Sequence, residues 1–144
     1  RTLFIGSPSK KQALIYNTVL EAQERGIEKV RTGNLAALVD EAARGHIKRS
    51  GFGKYFTHNT GHGVGLEIHE LPSLAPASRA SRGGPNFSAK SDDLLAPGMV
   101  VTVEPGIYIE NWGGVRIEDM VLVRDNAPVV LPNSPKSFEE MIIK

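Results

Sequence analysis

The sequence predicts an α+β fold in which two amphipathic helices pack on a curved, mainly antiparallel sheet. Three observations carry this. Apolar residues recur at helical spacing up to about position 50, and beyond Phe52 they fall into short β-branched runs punctuated by glycine. Those later runs are spaced for hairpins rather than helical crossovers, which puts the helices on one face of the sheet. With 144 residues, 40% of them hydrophobic, the chain can bury one ordinary core.

The first helix is expected to begin at Pro8 and Ser9, to carry Leu14, Ile15, Val19 and Ala22 inward, and to stop at Gly26. A second is expected to be capped by Asn34, to line one face with Leu35, Leu38, Val39, Ala42 and Ile47, and to end at a left-handed Gly51. Strands are predicted over 100–103, 106–109, 115–123 and 129–131. Gly, Pro, Ser and Ala dominate 72–93, which is predicted to be a long loop, either a surface excursion or a lid. Residues 137–144 are predicted to form a closing turn or a frayed tail.

Composition excludes several function classes. Seventeen Lys and Arg against sixteen Asp and Glu leave a formal charge of +1, too little field to hold nucleic acid or an anionic membrane surface. The longest apolar run, 35–39, is far short of the roughly 20 residues that cross a bilayer. Without cysteine there is no disulfide, thiolate zinc site or Cys nucleophile, so any metal must be held by His, Asp and Glu. These features fit a cytoplasmic protein. The first residue is Arg1 rather than Met, so the chain is expected to be a piece of something longer.

Three of the four histidines, His58, His62 and His69, fall in the stretch FTHNTGHGVGLEIHE among Gly61, Gly63 and Gly65. Imidazole is a borderline metal ligand, and glycine lets backbone or substrate approach where a Cβ would collide. Neither His58–His62 nor His69–Glu70 fits the helical H-E-x-x-H pattern, so these histidines belong to strands and turns. Strand parity sets His58 and His62 on one side and His69 on the other, so convergence requires a bulge or bend among the glycines. Unrelated surface or core histidines are the plain alternative.

In VVTVEPGIYI, Glu104 ends an apolar strand on the same side as Thr102, and Pro105-Gly106 turns the chain at once. In GGVRIEDMVLV, Arg116, Glu118 and Met120 share one face while Val115, Ile117, Asp119 and Val121 share the other. An exposed strand-end carboxylate and a surface ion pair are the plain readings of these residues. Together, one imidazole and two carboxylates make a hard-ligand set suited to manganese, cobalt, iron or zinc. Two divalent ions would leave that set short of negative charge, so further carboxylates are wanted from elsewhere.

The motifs HNTGHGVGLEIHELP, LLAPGMVVTVEPGIYI and GGVRIEDMVLV resemble those of the pita-bread-fold metallopeptidases, in the Xaa-Pro branch of prolidase and aminopeptidase P. Methionine aminopeptidases share the glycine-histidine stretch but usually differ after the Glu-Pro pair and at the final ligand. The resemblance implies His62, Glu104 and Glu118 as ligands of a two-metal centre, manganese first with cobalt, zinc or iron as alternatives. It makes Glu104 the proton acceptor as well, and gives His58, His69 and Arg116 to substrate and transition state. The remaining two ligands of such enzymes are upstream aspartates, the second in a Ser-Asp-x-Thr-Arg-Thr stretch whose last two residues Arg1-Thr2 resemble. The chain is therefore expected to span 1–144 as the C-terminal part of a catalytic domain, supplying three of five ligands and inactive when isolated.

The expected activity of the parent enzyme is hydrolysis of the peptide bond before proline. Its expected partners are a proline-containing peptide, the missing N-terminal half of the same enzyme and a second copy in a homodimer, with no nucleic acid or membrane. The alternatives are a non-catalytic pita-bread module binding peptide or protein, and a methionine aminopeptidase-like enzyme.

Overall fold

A computed structural model describes residues 1–77 and 94–144. In chain order it contains β1 (Phe4–Ile5), α1 (Lys10–Ile27), α2 (Ala36–Arg49), β2 (Gly61–Gly63), β3 (Glu70–Leu74), β4 (Val100–Val103), β5 (Gly106–Ile109), β6 (Gly113–Arg116), β7 (Asp119–Leu122), β8 (Val129–Val130) and β9 (Ile142–Ile143). The main sheet has the order β3-β2-β4-β7-β8, with every neighbouring pair antiparallel. β5 and β6 form a separate antiparallel hairpin, and β1 pairs in parallel with β9. The α+β class with two helices on antiparallel sheet is as the sequence predicts.

The helices form where a local signal supports them. Ser9 caps α1 in a complete capping box with Gln12. Ile15, Val19 and Ala22 are buried as expected, but Leu14 is 58% exposed and Tyr16 takes the inner position. Gly26 does not stop α1; it lies within its last turn and is buried. A Cβ there would come 3.0 Å from Val103 Cγ1, so glycine lets α1 press against the sheet. Asn34 is not the cap of α2. Leu35 holds that position without a side-chain bond, while the Asn34 amide donates to the Lys29 carbonyl at 2.9 Å. Gly51 adopts the expected left-handed conformation, φ +86°, just beyond α2.

The apolar residues form two clusters. Ile15, Tyr16, Val19, Ile47, Ile107 and Ile117 are among those that glue the helices to the β5–β6 hairpin. Val39, Leu74, Val101, Val103 and Val121 are among those that seat α2 on the main sheet. The chain passes between these layers at two places, Glu104-Pro105 linking β4 to β5 and Ile117-Glu118 linking β6 to β7. The predicted strand 115–123 is therefore two strands broken at 117–118, although its burial alternates as parity requires. The predicted loop is also shorter at its start, because Pro72 to Leu74 complete β3 against β2. Most of that stretch, 78–93, lies outside the described residues.

Asp119 is the one acidic side chain on the buried face of β7, 1% exposed. Arg1 Nη2 at 2.5 Å, Gln23 Nε2 at 2.7 Å and Lys136 Nζ at 3.1 Å all donate to it. Burial pushes its pKa up, but those three donors outweigh the burial and hold the carboxyl below the usual range. Arg1 also donates to the Glu118 carbonyl, and the Thr2 hydroxyl bonds both the N–H and the carbonyl of Arg116 at 3.0 Å. The first two residues thus register the 116–119 segment.

Candidate active site

A cleft of about 470 Å³ opens where the main sheet meets the hairpin. His58, His62, His69, Glu104 and Arg116 line it together with Glu70, Leu71 and others. Of the candidate residues, only Glu118 lies outside this lining; it borders an adjoining pocket with Tyr108, Arg1 and Thr2, and Arg116 belongs to both.

His62 reaches the cleft from β2, which is squeezed between β3 and β4. A Cβ on Gly61 would lie 1.8 Å from the Thr102 carbonyl oxygen, and one on Gly63 would lie 2.3 Å from that of Leu71. Only glycine fits at either place. The register between β2 and β3 shifts between His62 and Gly63, the irregularity that convergence of the histidines requires. As a result the His62 and His69 rings lie 4.4 Å apart, His69 coming from the bend that precedes β3.

The ring of His62 has its protonation pattern set by the backbone. Nδ1 is 2.9 Å from the Gly63 carbonyl, which can only accept, so Nδ1 carries the hydrogen. In the neutral ring Nε2 is then a lone pair, and it faces Glu104 Oε1 at 3.3 Å. A proton on Nε2 or a metal ion between the two atoms relieves this opposition of acceptors. Glu104 is held by the Thr102 hydroxyl, which donates to Oε1 at 3.1 Å, and its Oε2 is 3.6 Å from Arg116 Nη1.

Glu118 relates to Glu104 through strand register. Val103 pairs with Asp119 and Gly106 with Arg116, so the same register carried across the intervening residues sets Glu104 opposite Glu118. Like charges directly opposed across two strands repel. One imidazole lone pair and two carboxylates are ligand atoms of the kind a divalent cation takes. Among the described residues, no group of three or more His, Cys, Asp or Glu side chains, His62, Glu104 and Glu118 included, is close enough together to hold a metal ion.

His58 is differently placed. Its Nδ1 faces the Asn59 carbonyl at 2.7 Å and its Nε2 faces the Tyr108 hydroxyl at 2.9 Å, so both ring nitrogens are engaged. The Tyr108 ring also lies 5.9 Å beneath the Arg116 guanidinium, and burial pushes its phenol pKa up. Tyr108 and Glu70 escaped the sequence reading. The Glu70 carboxylate accepts the Glu67 N–H at 2.8 Å, closing the bend that carries His69. The signal for Tyr108 was the glycine at 106 and at 114, where a Cβ would strike its ring at 2.7 and 2.6 Å.

Comparison with known proteins bears on this arrangement. The family model for metallopeptidase family M24 matches residues 1–125. The chain is 48% identical over 126 residues to an Xaa-Pro dipeptidase of Pyrococcus furiosus, covering 88% of this chain and 32% of that protein. Among solved structures, an Xaa-Pro dipeptidase from Bacillus anthracis superposes with a TM-score of 0.84 at 47% identity, covering 99% of this chain and 36% of that one. An X-Pro aminopeptidase from Thermotoga maritima gives 0.81 at 36% identity, over 96% of this chain and 35% of its own. The chain spans about a third of the length of the curated relatives it matches.

Proposed function

Because the chain belongs to metallopeptidase family M24, we propose that the protein carrying it hydrolyses the peptide bond preceding proline, and that this chain is the C-terminal part of its catalytic domain. The observation that carries the reading is the opposed acceptor pair of His62 Nε2 and Glu104 Oε1 in a cleft shared with His69 and Arg116. His62, Glu104 and Glu118 would hold the metal together with carboxylates from outside this chain, manganese being the first candidate. When bound, divalent ions supply Lewis-acid polarisation of the scissile carbonyl and a water acid enough to attack near neutral pH.

The chain's own residues do the rest. Glu104 takes the proton of the attacking water and passes it to the leaving nitrogen of proline. Its position is defined on both sides, by the Thr102 hydroxyl and by Arg116. The His69 ring lies against that of His62 with the planes tilted by 54°, and among the described residues its ring nitrogens make no hydrogen bond, which leaves an N–H for the developing oxyanion. His58 is committed to Asn59 and Tyr108, so it orients Tyr108 beneath Arg116 rather than meeting substrate first. A peptide substrate, a homodimer and a cytoplasmic location belong to the same proposal. Among the described residues, no helix is long and apolar enough to cross a membrane.

The test is steady-state cleavage of an Xaa-Pro dipeptide and an Xaa-Pro-containing tripeptide by the full-length protein with added manganese. His69→Ala should lower turnover by about 100-fold to 1000-fold, the usual loss of an oxyanion donor, and His58→Ala should cost less. Wild-type turnover in His69→Ala would refute its role, and absence of cleavage by the unmodified protein would refute the reading as a whole.

A further inference from the structure

We propose that the Asp40–Arg44 ion pair of α2, with Asp40 buried and Arg44 partly so, is a positioning clamp for the cleft, fixing the backbone of His58 directly and that of Glu104 through Thr60. The proposal rests on the peptidase reading for its functional consequence, while the clamp itself stands on geometry.

Asp40 is 1% exposed and projects from the buried face of α2, where an apolar side chain would pack. Arg44, one turn on, grips it in a fork, Nε to Oδ2 at 2.8 Å and Nη2 to Oδ1 at 2.7 Å. The same guanidinium donates to the Phe56 carbonyl at 2.8 Å and the His58 carbonyl at 2.6 Å, and its carbon lies 4.1 Å over the Phe56 ring. Asp40 Oδ1 in turn accepts the Thr60 N–H at 3.2 Å and the Thr60 hydroxyl at 2.8 Å. Three alternate residues, Phe56, His58 and Thr60, are therefore held by one ion pair. They lie outside any strand; the Thr60 N–H is shared between Asp40 and the Leu74 carbonyl of β3, at 2.8 Å from the latter, and the ion pair adds the side-chain hold on top of that backbone bond.

The clamp continues to the cleft. The Thr60 carbonyl accepts the Glu104 N–H at 2.7 Å, at the point where β4 has ended and β5 has not begun. This bond continues the β2–β4 register of Gly63 opposite Val101, and Asp40 fixes the residue that supplies its acceptor. A surface ion pair in an exposed helix would be worth little, but a buried pair that loses one partner leaves an uncompensated charge. Arginine matters here for its planar fork, because lysine could keep the charge yet not reach Asp40 and both carbonyls together.

The experiment uses the full-length protein with Asp40→Asn, Arg44→Lys, Thr60→Val and Thr60→Ser. Two readouts are taken: hydrogen exchange at the Glu104 amide, with Val121 in the sheet as internal reference, and kcat and KM on an Xaa-Pro dipeptide. Asp40→Asn and Thr60→Val should speed exchange at Glu104 at least about tenfold while leaving Val121 protected. They should lower kcat by about 10- to 100-fold, the usual effect of removing a partner that orients a ligand, with KM nearly unchanged. Arg44→Lys should lower kcat likewise, and Thr60→Ser, which keeps the hydroxyl, should restore both readouts. Freed Glu104 amides in a protein that cleaves no Xaa-Pro bond would keep the clamp and overturn the peptidase reading. A Glu104 amide as protected in Asp40→Asn and Thr60→Val as in the unmodified protein would overturn the clamp, as would a loss of kcat equal in Thr60→Ser and Thr60→Val.

Discussion

Replacing Gly61 by alanine should damage the cleft through backbone contact alone. The added Cβ would lie 1.8 Å from the Thr102 carbonyl oxygen and 2.7 Å from its carbon, and real Cβ contacts do not fall below 3.0 Å. β2 must therefore retreat from β4 by the difference, 1.2 Å, because the obstacle is main chain and cannot rotate away. The next residue is His62, whose N–H bonds Thr102 Oγ1 at 3.1 Å and whose ring faces Glu104 at 3.3 Å. Both distances open if β2 moves. Overpacking of this kind costs about 1–3 kcal/mol of stability, and a misplacement of about 1 Å at a reacting group can cost about 100-fold in rate. Urea denaturation and kcat/KM on an Xaa-Pro dipeptide measure the two effects on the full-length protein. A variant with the unmodified denaturation midpoint and turnover within about twofold would refute the view that glycine here exists to let the strands close on the cleft.

Asp119→Asn should destabilise the protein by about 3–5 kcal/mol, as expected when one partner of a buried ion pair is removed, and an unchanged urea midpoint would contradict the Arg1, Gln23 and Lys136 network. Since the folded state holds this carboxyl below its ordinary value, its contribution is present above the unfolded pKa of about 3.9 and is lost as pH falls through the lower folded value. The unmodified protein should therefore lose stability below about pH 4 more steeply than Asp119→Asn, in melts taken across pH 2–6. Gly26→Ala should gain about 0.5–1 kcal/mol of helix propensity yet lose about 1–3 kcal/mol by pressing on the fully buried Val103, so its melting temperature should fall; a rise would mean that the sheet yields.

Local patterns made much of the fold legible. Alternation from Val115 to Val121 identified the buried face even though the chain changes sheets at Ile117-Glu118, because parity survives a break that keeps register. Ser9 and Gly51 were readable because capping and left-handed turns depend on single residues. Leu14 and Asn34 misled because helix phase and cap position shift by a residue or two with little local penalty: Tyr16 packs inward where Leu14 does not, and the exposed Leu35 takes the cap position. In the cleft, the glycine spacing announced close strands and the need for a bulge near His62. The roles of Asp40, Arg44 and Asp119 had no such signal: an Asp and an Arg four apart on a helix read as an ordinary surface pair, and the other groups that Asp40, Arg44 and Asp119 hold lie far away in sequence or on other elements. Tyr108 was hidden likewise, since an aromatic in GIYI reads as an ordinary strand residue until the glycines beneath it are seen.

The central claim is that His62 on β2, Glu104 at the end of β4 and Glu118 at the β6–β7 break serve one metal centre together with carboxylates from outside this chain. Calorimetric titration of manganese into the full-length protein tests it without reference to turnover. The unmodified protein should take up two ions per chain, and His62→Ala, Glu104→Gln and Glu118→Gln should each lose at least one of them while remaining folded. Manganese uptake by Glu118→Gln equal to that of the unmodified protein would contradict the claim.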